Sequence, residues 1–493
     1  MNKNKFINLI WIIIFILFFV FFTKLYPLIL YDADDWTYVA QDRRMLPIIG
    51  YWNPSKVLPE TLMPLCGAIS AYLVDIFVND YVVSFTIVSS FVVSFLITLY
   101  VQSFYVLIKK KFKLEKIKSI IVMGLFLIFH LVIFYIPYNS NEYLFYAHDL
   151  NCYYNYLIPN IICFIIIFKM MTFDFIDYSF PKKITLKSGF ILLMFLLSIF
   201  SNLYCNITLI TYIASVLLIN CINSMKNKFN IMDFIKKNSM LIVAIIIWII
   251  SLLYELTGLR AQRPYDGIYR ESIVQCIKNL GYVICNYINK PFIIVSLVTC
   301  VFGIVIFSKN KVLKDNDKKL FNMFITVTIC ILVLTLYFIL ISAKVSPENI
   351  FKAESLFGLY AYLIIMLSFV MCYLLNSTRI FNAFIVILLA FFIVETNCAI
   401  STFKPNNLSL ISIKKTKEID DYIINEIINA DENGVKALEL RVPRYNTSDN
   451  WPISDYFGER ISCTLFRHKR ISRKIEINII PDERLNEKFG VEN

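Results

Sequence analysis

Three carboxylates, Asp32, Asp34 and Asp35, stand together in the run Tyr31-Asp32-Ala33-Asp34-Asp35-Trp36, directly after the apolar run Phe6–Tyr31. If the chain is extended there, Asp32 and Asp34 point the same way. Such a pair can hold a divalent cation, Mg or Mn, through oxygen ligands. Alternatively, their repulsion holds one pKa high and the other low, which suits a general base that takes a proton from a hydroxyl. The plainer use is a cap, in which Asp34 or Asp35 starts a helix Trp36–Met45. One acid is enough for a cap, and acids at a membrane edge are costly, so three adjacent ones favour chemistry.

Other groups suited to a phosphate or a sugar lie further along. Asp42-Arg43-Arg44 follows within ten residues, and a forked guanidinium matches a phosphate as well as it matches Asp42 or a lipid headgroup. Trp52 offers a flat face for a sugar ring, and Asn53 beside it offers a donor and an acceptor. A Trp there serves equally as an interfacial anchor. Glu60 is a site residue or a favourable charge at a helix start marked by Pro59. A loop rich in Tyr and Asn holds His148, Asp149 and Asn155, types that recognise sugar hydroxyls, although its tyrosines also fit an aromatic belt. Arg260 and Arg263 are three apart, hence neighbours on a helix, and with Lys344 they are further phosphate candidates. His130, inside an apolar stretch, reads as a packed core histidine.

The elements that must position these groups are mostly apolar. The chain has 493 residues, 58% of them hydrophobic and 17% charged, with 43 Phe and 30 Tyr. That balance excludes a soluble globular enzyme and a disordered chain. Apolar runs near membrane length recur, and they place about eleven membrane helices at 7–30, 81–108, 119–137, 153–170, 188–206, 207–225, 240–256, 290–308, 320–342, 354–375 and 380–397. The first is too long for a signal peptide and lacks a small-residue cleavage site. It reads as a retained helix with a cytoplasmic N-terminus. Alternating from there puts every Lys-rich loop inside, around Lys109–Lys118, Lys182–Lys187, Lys226–Lys237 and Lys309–Lys319. The net charge of +12 is therefore a topology signal and argues against a nucleic-acid partner. A span at Glu60–Val78 would invert every later loop, so this stretch reads as a juxtamembrane or re-entrant helix.

The outer face then gathers the loops 31–80, 138–152, 257–289 and 343–353. The remainder, 401–493, reads as a small extracytoplasmic α/β domain beyond a membrane domain 1–400. Ile419, Tyr422, Ile423 and Ile427 mark an amphipathic helix, and Asn433-Gly434 marks a turn. Leu438, Leu440 and Val442, then Ile475, Ile477 and Ile479, alternate as half-buried strands, with a helix starting near Ser454 between them. No Cys/His spacing marks a metal site. Cys276 and Cys285 share an outer loop and could pair, though the twelve cysteines read mainly as small apolar residues.

An acidic cluster after the first membrane helix, a helical first outer loop, about eleven spans and a folded outer tail together resemble the GT-C superfamily of polyprenyl-phosphate-sugar-dependent membrane glycosyltransferases. The likeness is to the bacterial branch that decorates cell-surface polysaccharides or teichoic acids. It covers the architecture, and its one specific motif is Asp32-Ala33-Asp34-Asp35. The resemblance implies a donor sugar on undecaprenyl or a similar lipid phosphate and a surface glycan or wall-polymer acceptor. It also implies inversion at the anomeric carbon, with Asp34 or Asp35 as base. Arg43, Arg260 and Arg263 become phosphate candidates, and some members use a divalent cation. Three other readings stand beside it: a membrane polysaccharide polymerase or ligase, a transporter or flippase for a lipid-linked sugar, and a non-catalytic partner whose tail binds a wall polymer.

Overall fold

The computed structural model describes residues 3–41, 54–134, 143–173, 178–180, 185–225, 230–257, 269–309, 315–377, 406–407, 410–445 and 451–491. Among the described residues eight helices are long and apolar enough to cross a membrane: Phe6–Leu25, Val57–Val78, Tyr81–Lys111, Leu150–Phe173, Leu203–Met225, Ser239–Thr257, Leu320–Val345 and Phe357–Asn376. The fold is thus helical and consistent with a polytopic membrane protein. It does not match the expected spans one for one. The stretches at 119–137, 188–206 and 290–308 contain the helix Lys116–Val132 and the shorter apolar helices Ser188–Ile199 and Lys290–Val301. The span expected at 380–397 lies outside the described residues. The first helix stops at Leu25, five residues short of the expected end. Pro27 disfavours helical geometry at Tyr26, which sits at φ −134° and ψ 75°.

The chain divides into two compact units, one of Met1–Thr98, Ala147–Ile158 and Lys404–Asn493, the other of Leu99–Tyr146 and Pro159–Phe403. The residues from Lys404 on, read from sequence as a small domain, fall in the same compact unit as the first 98 residues.

In the first unit the tail is built around two parallel strands, Ala437–Pro443 and Glu476–Asp482, in the register Leu440↔Ile479. The helix Phe457–Arg467 connects them and lies so close to the second strand that a Cβ on Gly458 would meet the Ile477 carbonyl at 2.6 Å. The preceding helix, Ile413–Glu432, buries Ile413, Thr416, Ile419, Asp420, Ile423, Ile424 and Ile427, the spacing of one helical face. It is followed by Gly434 at φ 74°, where a side chain would be strained.

The same unit contains the helix Val57–Ile69, continued by Ser70–Val74 and Asp75–Val78. By length and composition it is a candidate span. Its Gly67 rests on Val39, where a Cβ would lie 2.8 Å from Val39 Cγ2. Its far end reaches the tail: the Tyr72 hydroxyl donates to the Arg467 carbonyl at 2.5 Å, and Asp75 pairs with Arg470. Arg467 also donates to the Ala40 carbonyl. Immediately beyond the helix, the Tyr81 hydroxyl lies 2.6 Å from His468 Nδ1.

In the second unit, Tyr100, Phe104, Phe126, Phe164, Phe168 and Phe357 form an aromatic core around His130. His130 is fully buried, with Nε2 2.9 Å from the Tyr100 hydroxyl and Nδ1 2.7 Å from the Phe126 carbonyl. It is the packed histidine expected from sequence. Cys276 and Cys285 are both free. Nine residues apart on the one helix Tyr269–Asn286, they are separated by about 13 Å of rise, beyond disulfide reach.

Candidate functional site

The carboxylate run is not extended past Asp32. Asp32 keeps extended backbone, φ −62° and ψ 150°, and a helix begins at Ala33. The cap is Asp32, not Asp34 or Asp35: its Oδ1 accepts the Asp34 N–H at 2.8 Å. Asp35 folds back in the opposite sense and accepts the N–H groups of Tyr31 and Asp32, each at 3.2 Å. Its other oxygen accepts the Asn151 N–H at 2.6 Å, from a helix start 116 residues away in sequence. Asp35 is fully buried. With three backbone donors, it ties the turn after the first helix to the first turn of the helix Leu150–Phe173. That structural use accounts for an acid which the sequence offers as a base.

Asp34 remains half-buried. It acts electrostatically on Asp149 and on Tyr456, a residue of the tail, so these groups share one locality. Asp149 caps its own helix by accepting the Cys152 N–H at 2.6 Å. Loss of water raises the Asp149 carboxyl above its ordinary range, the Cys152 hydrogen bonds and His148 oppose the rise, and the Asp34 charge adds to it. Asp35 is raised well above the ordinary range by burial, then by the charges of Asp149 and Asp32, against the Asn151 and Tyr31 N–H groups. The Tyr456 hydroxyl is pushed up to about 12 by burial and by Asp34 and Asp32, while Arg460, whose guanidinium lies 6.0 Å from the Tyr456 ring centroid, opposes this.

The other loop residues take supporting places. His148 offers its backbone carbonyl to the Tyr31 hydroxyl at 3.4 Å. Asn155 donates to the Asn151 carbonyl at 3.1 Å, within the helix start that holds Asp35. Glu60 is buried in the first turn of Val57–Ile69. Lys344 is exposed near the end of Asp315–Val345, in the second unit. Arg43, Arg44, Trp52, Asn53, Arg260 and Arg263 lie outside the described residues.

The tail closes over the turn from a direction the sequence reading left open. The Thr464 hydroxyl donates to the Trp36 carbonyl at 2.6 Å, and the Trp36 indole stacks on Tyr81 at 6.1 Å. Trp451 meets Tyr31 edge to face at 5.6 Å and donates its indole N–H to Asp420 at 2.9 Å. The second oxygen of Asp420 is buried with no hydrogen-bond partner, and burial raises this carboxyl well above the ordinary range. Tyr456, Arg460, Trp451 and Asp420 were not singled out from the sequence. Only Asp420 left a signal there, as an acid on the apolar face of an amphipathic helix.

A cluster of four carboxylates, two of them raised toward neutrality, is suited to take or hold a proton on a bound hydroxyl. Asp32 spends one oxygen on the cap, and among the described residues no group of three His, Cys, Asp or Glu is placed to hold a metal ion. Searches of protein-family models, curated proteins and solved structures find no match to this chain.

Proposed function

We propose that the chain transfers a sugar from a polyprenyl-phosphate donor to a surface glycan or wall polymer, with Asp34 as the general base. The observation that carries this reading is the division of labour among the three acids. Asp32 is used as a cap and Asp35 as a three-donor anchor, while the half-buried Asp34 lies within electrostatic reach of Asp149 and Tyr456. A base that deprotonates an acceptor hydroxyl needs partial access and a fixed backbone. In this reading Asp149 shares the proton load, and the hydroxyl of Tyr456 hydrogen-bonds the acceptor.

The place of the cluster suits a lipid-borne donor. The acids follow the apolar helix Phe6–Leu25 by about two helical turns of chain, near where a lipid phosphate would sit. Ala40, Tyr72 and Asp75 all engage the region Arg467–Arg470 of the tail. The far end of the helix Val57–Val78 therefore packs on the tail. A transporter would concentrate such charges midway along its spans; the acids here sit at helix starts.

The test is mass analysis of the surface polymer from cells that carry the gene, lack it, or carry Asp34→Asn. A sugar present only with the intact gene supports the reading. A polymer identical in all three strains refutes it.

A further inference from the structure

The segment Arg467-His468-Lys469-Arg470-Ile471-Ser472-Arg473-Lys474 carries five fixed cations and no acid. Proposed sugar transfer uses none of them. Two are neutralised in place, Arg470 by Asp75 and Arg473 by Asp431 at 3.3 Å. Lys469 and Lys474 are exposed and form no ion pair among the described residues. Lys469 sits at φ 57°, just past the end of the helix Phe457–Arg467, so the chain turns sharply there. Phe466, Arg467, Lys469, Arg470, Ile471 and Ser472 line an open depression of about 560 Å³.

Beside this basic rim lies bare apolar surface. The helix Val57–Val78 exposes Leu65, Ile69, Leu73, Ile76 and Phe77, a stripe spaced as one helical edge, with Ile76 73% and Phe77 82% exposed. Tyr72 and Asp75, within the last two turns of the same helix, hold Arg467 and Arg470. Apolar stripe and cationic rim are thus physically continuous. An apolar edge flanked by cations is the pattern of a helix lying in a bilayer interface, and phosphate headgroups are what the cations would meet there.

We infer that the Arg467–Lys474 segment is a membrane-docking element that binds the phosphate of anionic phospholipids, seating the tail on the bilayer beside the apolar edge of Val57–Val78. This inference rests on the membrane location and is independent of sugar transfer. Basic residues at a charged bilayer contribute about 1 kcal/mol each, so removing two weakens headgroup binding about thirtyfold.

The test uses the full chain, with benzoylphenylalanine in place of Phe466, in vesicles of phosphatidylcholine containing a minor share of phosphatidylglycerol. After irradiation, cross-linked lipid is identified by mass. Phosphatidylglycerol should be captured well above its share of the bilayer. Lys469→Gln with Lys474→Gln should bring capture down to that share, while Lys436→Gln, elsewhere on the tail, should leave it unchanged. Lipid capture without headgroup preference in the parent protein overturns the inference, as does absence of lipid capture or a preference that survives the double substitution. Loss of the preference on adding inorganic phosphate, but not chloride at equal ionic strength, would also overturn it by revealing a free-anion site.

Discussion

Asp34 and Asp35 are adjacent and chemically identical, yet the backbone bonds of Asp35 and the role proposed for Asp34 predict opposite phenotypes. Asp35 accepts backbone N–H groups from Tyr31, Asp32 and Asn151. Asp35→Ala orphans all three, at about 1–3 kcal/mol for each buried donor, or about 3–9 kcal/mol in sum. Asp35→Asn can present its one carbonyl oxygen to Asn151 or to the Tyr31 and Asp32 pair, but not to both. At least one donor is lost, worth about 1–3 kcal/mol. Both variants should lower the unfolding midpoint of the purified protein, the Ala variant more. Asp34→Asn keeps the backbone N–H that Asp32 caps, and should shift stability by less than about 1 kcal/mol while reducing transfer about 10²–10⁴-fold. The assays are thermal unfolding in detergent and sugar transfer from a lipid-phosphate donor in isolated membranes. If Asp34→Asn transfers at the parental rate, or Asp35→Asn is inactive with an unchanged midpoint, the assignment is wrong.

Two further predictions concern packing and charge. Gly67→Ala places a Cβ 2.8 Å from Val39 Cγ2 and 2.9 Å from the Val39 carbonyl, and backbone cannot rotate away. It should destabilise the protein by about 1–3 kcal/mol, visible as a lower unfolding midpoint, whereas Gly124→Ala, with open space around it, should not. The Asp420 carboxyl is raised by burial, so its contribution to stability is full below its unfolded pKa and is lost as pH rises through the folded value. From about pH 4 upward the parent should therefore lose stability relative to Asp420→Asn, whose oxygen still accepts the Trp451 indole N–H. A midpoint difference independent of pH would contradict this.

The legible part of this protein was its periodicity. The helix at Ile413–Glu432 and the strands at Ala437–Pro443 and Glu476–Asp482 all lie where apolar spacing put them. The acidic run was legible as important but not in its roles. Which of three neighbouring acids is a cap depends on where the helix begins, and Asp35 is explained only by Asn151, which local sequence cannot supply. Tyr456 and Trp451 were invisible for the same reason, since their relevance comes from docking against residues 31–36 across more than 400 positions. Helix ends moved where a single residue dominates, as at Pro27. Charge parity sets Val57–Val78 apart from the spans, whereas by length and hydropathy it counts among the candidate spans.

The bond from Thr464 to the Trp36 carbonyl joins residues 428 positions apart. A ribosome makes Trp36 long before Thr464. Through most of synthesis the acidic turn therefore stands without the tail elements that meet it in the finished fold, while every intervening helix is being inserted. A chain cut short between Asp149 and Tyr456 would carry every acid of the cluster and lack Tyr456, Arg460 and the Thr464 anchor. Assembly of this region thereby waits for synthesis through Thr464.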